Sequence, residues 1–459
     1  MPNPGRRIDP TSMFSSVVPG FAVTLAMITY LDRVCISQAA PFMQQELGLS
    51  AAHMGLAFAA FSWAYALFEI PGGWLGDWIG PRKVLLRVVI MWSVFTAATG
   101  YVWNLVSLIS ARFFFGMGEA GCFPNLTKAF MIWLPARERT RAQAITWLSA
   151  RWAGAFTPLL VIWVMTWLSW RNTFVLFASA GMIWASFFYR WFPNAATANE
   201  GQALHKQDPA SKPMAPLQVP WRKFLTSQTV WLLWMQYFCL TYGWFFYVTW
   251  LPTYLKETRG LELDQNALMV WLGNQLKQHL SADTAQRILV AALAGIPLFF
   301  GGLGAIFCGL ITPRIVRRMG SVGRARRMLA LVGFTGASLL LIGSIYVKDP
   351  LLAMCAMGVA SFCNDLTMPG SWSTCMDVGG DYAGTLSGSM NMMGSIGAGI
   401  APFVIGLVLD HSDRNWALTF WISGIIYFIG GLCWFGIDPV TPMQTASGQS
   451  REFESVVVE

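Results

Sequence analysis

Long apolar runs separated by short polar loops dominate this chain. The stretch from Leu289 to Thr312 contains no charged residue at all. A helix needs about 20 apolar residues to cross a bilayer, and many runs here reach that length. The pattern predicts twelve helical spans, at 14–38, 53–77, 81–103, 105–132, 140–167, 170–192, 228–255, 289–312, 326–346, 350–376, 383–409 and 415–437. A polar stretch with Pro193, Pro209, Pro213, Pro216 and Pro220 divides the first six from the second six. The expected division is a segment 1–13, a six-helix unit 14–192, a linker 193–222, a second six-helix unit 223–440 and a polar tail 441–459. The fold class is all-α integral membrane.

Composition agrees. The chain has 459 residues, of which 55% are hydrophobic and 12% charged. A soluble protein carries about a quarter charged residues. The net charge of +8 could suggest nucleic acid, but its placement suggests topology instead. Basic clusters at 81–87, at 137–141, in the linker (Lys206, Lys212, Arg222, Lys223) and at 314–327 each follow an even-numbered span. The positive-inside rule then puts the linker and both termini in the cytoplasm of a multi-pass inner-membrane protein, with no nucleic-acid partner. The N-terminus runs into a full-length span with no small-residue cleavage site, so the first span is expected to be a retained anchor. One outer-side insertion, 257–287, has helical spacing at Leu268, Trp271, Leu272 and Leu276. It reads as a helix on the outer mouth, or as a lid.

Catalysis finds no support. The eight cysteines lie inside or at the ends of apolar segments and lack metal-ligand spacing. His53, His205, His279 and His411 form no ligand cluster. No metal or organic cofactor is expected, and no nucleophile–base arrangement is apparent.

Six charges fall where a membrane protein should avoid them. They are Asp32 and Arg33 in the first span, Arg112 and Glu119 in the fourth, Arg151 in the fifth and Asp365 in the tenth, beside Asn364. A charge at the bilayer centre costs at least about 2.5–3.5 kcal/mol on insertion scales, so each is a functional candidate. Arg112 and Glu119 are seven positions apart and share a helix face. Arginine's planar fork suits carboxylates. Burial disfavours a charged carboxylate and a nearby arginine favours it, so together they tune a proton site. The residues therefore suggest an anion site with a built-in proton carrier. Static pairs, Asp32–Arg112 and Glu119–Arg151, are the structural alternative.

The loop GGWLGDWIGPRK supplies Gly73, Asp77, Gly80, Arg82 and Lys83. It resembles the G-x-x-x-D-x-x-G-x-R-[KR] signature of the major facilitator superfamily, where two six-helix bundles surround a central cavity. The resemblance implies that Asp77 and Arg82 belong to a gating latch that stabilises the outward-open state. Pro313 stands where the second half often has an acid, so the latch is expected to be weak there.

A narrower resemblance follows. Tyr30, Asp32 and Arg33 spell Y-x-D-R, and Arg112, Glu119, Ala120, Pro124, Trp133, Pro135, Glu138 and Arg139 spell a second motif. Both are similar to the anion:cation symporter family of that superfamily. The resemblance covers about 14–437 and implies proton-coupled uptake of a small organic anion, above all a sugar acid (hexonate, hexuronate or aldarate). A dicarboxylate or aromatic-acid carrier, or an exchanger or exporter, is the alternative. It implies that Arg33 contacts the substrate carboxylate, that Asp32 interacts with Arg112, and that Glu119 carries the proton. Tyr30, Tyr65 and Asn391 would line the cavity, with Ser371, Trp372 and Ser373 near the substrate. Arg151 and Asp365 are additions to the usual set, and suggest a second carboxylate on the substrate or a different proton path. The proton would be the coupling ion. A monomer is expected, since one chain holds a whole pathway.

Overall fold

The computed structural model describes residues 10–192, 219–249, 251–254, 267–278 and 282–443. Expectations for the first residues, most of the linker, the flanks of the 267–278 segment and the tail fall outside the described residues.

The helices, here numbered as spans, are Pro10–Leu47 (span 1), Ala51–Ile79 (2), Pro81–Gly100 (3), Ala136–Met165 (5), Trp170–Trp191 (6), Gln228–Thr249 (7), Ala282–Met319 (8), Val322–Gly343 (9), Ala383–His411 (11) and Trp416–Gly436 (12). Span 4 is two helices, Leu105–Glu119 and Cys122–Trp133, and span 10 is also two, Pro350–Asp365 and Met368–Gly379. Ten stretches are long and apolar enough to cross a membrane, one of them running through spans 10 and 11. With the 22-residue span 7, this makes twelve among the described residues.

Helix ends follow local chemistry. Ser50, Asn104, Ser169 and Ser321 accept hydrogen bonds from the backbone of the first turn that follows each. Gly80 takes φ 89° before Pro81, which opens span 3. Several helices outrun their predicted bounds, span 1 to Leu47 and span 8 back to Ala282. Hydropathy marks the part in lipid, whereas backbone hydrogen bonding continues into water. In the insertion, Ala267–Lys277 is helical and packs on the early turns of span 8.

Packing repeats between halves. In the first, span 1 packs on 5, 2 on 4, 3 on 6 and 3 on 4; in the second, 7 packs on 11, 8 on 10, 9 on 12 and 9 on 10. Adding six to each span number converts one set into the other, so the two bundles share one plan. The halves meet through span 2 on 11 and span 5 on 8, and these two contacts are themselves equivalent under that relation.

Between the halves, the backbones of spans 2 and 11 approach closely. A Cβ on Gly73 would lie 2.2 Å from the carbonyl oxygen of Gly384, and one on Gly388 would lie 2.6 Å from that of Glu69. Only glycine allows this seam. On the other seam, Trp152 of span 5 donates to the carbonyl of Phe299 in span 8 at 3.2 Å.

The breaks in spans 4 and 10 occupy equivalent positions and set the depth of the acids. Gly121 takes φ 83° and touches Gly72, ending the first half of span 4 at Glu119. The first half of span 10 ends at Asp365. Each acid thus sits at the C-terminal end of a half-helix in mid-bundle.

Candidate functional site

Two buried ion pairs form the centre, and neither is a pair foreseen from depth alone. Arg33 donates through Nε to Oε1 of Glu119, which is fully buried. Arg151 donates through Nε and Nη2 to both oxygens of Asp365, at 2.6 and 2.9 Å. Glu119 therefore pairs with Arg33 rather than Arg151. Arg151 instead reaches across the seam to span 10.

Asp32 and Arg112 make no hydrogen bond to each other. Both carboxylate oxygens of Asp32 and Nε of Arg112 are buried without a hydrogen-bond partner. Arg112 lies instead over the rings of Phe115 (4.4 Å) and Phe61 (5.0 Å). Such cation–π contact holds a guanidinium without neutralising it.

Aromatic rings surround Arg33. Its guanidinium is 4.4 Å from the Tyr65 ring centre and 5.7 Å from that of Tyr30. The arginine remains about one-fifth exposed, and its Nη2 has no partner. Asn391 of span 11 donates to the Tyr65 hydroxyl at 3.1 Å and to Glu69 at 2.9 Å, so the second half reaches this centre. Arg151 lies 3.9 Å from the Trp244 ring centre. Trp147 and Trp372, one from each half, approach within 5.5 Å, and Trp372 donates to the Tyr237 hydroxyl at 3.1 Å.

The tenth-span residues divide. Trp372 belongs to this aromatic wall. Ser371 is buried behind it, donating to Gln236 and to the Thr367 carbonyl. Ser373 lies in the seam against Thr140 of span 5, at 3.0 Å, and not beside Arg33.

The end of the bundle with the basic loops is sealed. Asp77 accepts from the backbone of Gly384 (2.9 Å) and Thr385 (2.6 Å) and from the Thr385 hydroxyl (2.6 Å), at the N-terminus of span 11. A helix N-terminus is a natural seat for an anion. Lys128 of span 4 pairs with Asp77 at 3.2 Å and donates to the Asp381 carbonyl. Arg82 takes no part in that cluster; it donates to the carbonyls of Phe192 and Tyr189 at the end of span 6. The second half is not weak, as Pro313 had suggested. Asp377 replaces the missing acid, accepting from Arg326 (2.7 Å) and, across the seam, from Arg139 (3.3 Å).

Sequence reasoning missed three members. Glu69 in AYALFEIPGG satisfies the criterion applied to the other acids, a charge inside an apolar run. Lys128 does the same in span 4. Tyr237 gave no signal beyond an aromatic in a span.

A family model described as Major Facilitator Superfamily matches residues 22–402. The chain belongs to the Major Facilitator Superfamily. It is 32% identical over 444 residues to a probable sulfoacetate transporter, SauU, of Cupriavidus necator, covering 95% of this chain and 96% of that one. It is 28% identical over 421 residues to a D-galactonate transporter of Escherichia coli, covering 88% and 91%. The solved proton:xylose symporter XylE, bound to 6-bromo-6-deoxy-D-glucose, shares the fold with a TM-score of 0.68 at 13% identity, over 95% of this chain and 98% of that one. This major facilitator protein is thus a multi-pass membrane transporter and not an enzyme.

For a major facilitator, the geometry has a direct chemical meaning. Arg33, about one-fifth exposed, is held by the carboxyl group of Glu119.

Proposed function

We propose that the protein is a proton-coupled symporter that imports a small organic anion, a sugar acid in the leading case, by alternating access. The observation that carries this reading is the Arg33–Glu119 pair at the centre of the bundle. Protons reach Glu119 and Asp32 from the outer side, Arg33 exchanges Glu119 for the substrate carboxylate, and the halves rock about the site. With the basic loops cytoplasmic, the sealed end is the inner one, and this conformation is the one that loads from outside. Tyr30, Tyr65 and Asn391 are placed to contact the cargo, and Asp77 acts as the inner latch. The protein works as a monomer in the inner membrane.

A second reading concerns cargo charge. Arg151 offers another fork at the site, held by Asp365 as Arg33 is held by Glu119. A dianion would engage both. The relative named for sulfoacetate, which carries two acidic groups, supports including such ions.

Uptake into liposomes tests the proposal. With an acidic exterior, labelled galactonate, glucarate, sulfoacetate and phthalate are offered in turn. Accumulation of one of them above its external concentration, abolished by collapsing the pH gradient, supports symport. Exchange without accumulation contradicts it.

A further inference from the structure

Buried acids and cations do not balance at the seam. Among the described residues, five acids are buried in the spans: Asp32, Glu69, Asp77, Glu119 and Asp365. Three have ion-pair partners, in Arg33, Lys128 and Arg151. Asp32 lies within the field of Arg112, which has no ion-pair partner among the described residues. Glu69 has no ion-pair partner among the described residues.

Its surroundings are specific. Oε1 accepts one hydrogen bond from the neutral amide of Asn391, and Oε2 is buried without a partner. The titratable and charged groups facing it are Tyr65 on its own span, Arg33 of span 1, and Glu119 and Cys122 of span 4. Span 11 presents only Asn391. Arg33 is already committed to Glu119. A carboxylate in this place would be a bare charge in a low-dielectric interior, and one amide hydrogen bond does not repay that desolvation. A carboxylic acid fits: Oε1 still accepts from Asn391, and Oε2 bears the hydrogen.

The location couples this proton to movement. Glu69 lies eight residues before Asp77 on the same span, about 12 Å along the axis. Its carbonyl is one of the points where spans 2 and 11 touch, 2.6 Å from where a Cβ on Gly388 would lie. Separating these spans for inner opening would remove Asn391 from Glu69 and admit water.

We propose that Glu69 holds a proton while spans 2 and 11 are together and releases it to the inner side when they part, making it a further proton carrier of the transport cycle beside Glu119 and Asp32. The step is an acid dissociation: the Oε2–H bond breaks, the electron pair stays on the carboxylate, and the proton goes to water. The inference rests on the proton-symport reading.

The test is the number of protons moved per anion, measured in liposomes by an internal pH dye and labelled cargo together. Glu69→Gln keeps an acceptor for Asn391 and cannot ionise. It is expected to move one proton fewer per anion than the parent, and to lose part of the pH dependence of uptake. Glu69→Met gives the same readout with an apolar side chain should glutamine disturb the seam. An unchanged ratio in either variant overturns the inference and leaves Glu69 as a seam hydrogen-bond acceptor. A parent protein that exchanges anion without moving protons overturns the symport reading itself, and this inference with it.

Discussion

Arg151 of span 5 and Asp365 of span 10 are joined by two hydrogen bonds, at 2.6 and 2.9 Å, that cross from one half of the molecule to the other. Both side chains are almost wholly buried, and Asn364 braces the acid at 2.6 Å. Removing one partner of such a pair strands a charge and costs about 3–5 kcal/mol, whereas removing both with matched apolar groups is often near neutral. Arg151→Met and Asp365→Leu should each lower the unfolding temperature in detergent, and the double variant should recover most of the loss. If the pair also meets cargo, the recovered double variant will still lose any preference for dianions over monoanions in competition uptake. Full retention of that preference would make the pair purely structural.

Arg33 should not tolerate replacement by lysine. Lysine keeps the charge but presents a point charge where arginine presents a planar fork. Arg33→Lys is expected to cut substrate uptake at least about tenfold, which corresponds to about 1.4 kcal/mol. Its unfolding temperature should change little, because an ion pair to Glu119 remains possible. Uptake within twofold of the parent would remove Arg33 from the substrate contacts.

The latch at Asp77 predicts a change in accessibility. Asp77→Asn keeps the shape but loses the charge that faces Lys128 and the N-terminus of span 11. A cysteine placed at Ser373, in the seam against Thr140, should react slowly with a bulky maleimide in the parent background and faster when Asp77→Asn is added. Equal rates would mean that the Arg139–Asp377–Arg326 cluster alone holds this end closed.

Gly73 offers a steric test of the same seam. A methyl group there would lie 2.2 Å from the Gly384 carbonyl oxygen, where only backbone could give way. Gly73→Ala should therefore mimic Asp77→Asn in the maleimide assay, while its uptake falls. A labelling rate equal to that of the parent would show that the helices can separate slightly without opening.

Much of this was legible in the chain. The twelve spans follow from hydropathy, because a bilayer imposes one length on every helix. Asp32, Arg33, Arg112, Glu119, Arg151 and Asp365 stood out because charge is costly in lipid. Their pairing did not. Depth along the chain does not say which neighbouring helix a side chain faces: Arg151 reaches across to Asp365 of span 10, and Glu119 takes Arg33 of span 1. The family resemblance put Arg82 in a latch with Asp77, yet its side chain goes to the end of span 6. The substitution of Asp377 for the acid missing near Pro313 is a long-range feature, because span 10 and not span 8 supplies it. Glu69 was visible by the criterion used for the other acids. Its importance emerges only when the cations around it are found to be taken.

The central claim is that Glu119 and the cargo compete for Arg33, so that anion entry carries protons with it. The most direct measurement is the pH inside liposomes as each anion is added outside, for the parent and for Glu119→Gln. The account predicts that the favoured anion acidifies the interior of parent liposomes. It predicts that Glu119→Gln abolishes the acidification while labelled anion still exchanges. No acidification by any anion that is demonstrably exchanged, or undiminished acidification in Glu119→Gln, would contradict it.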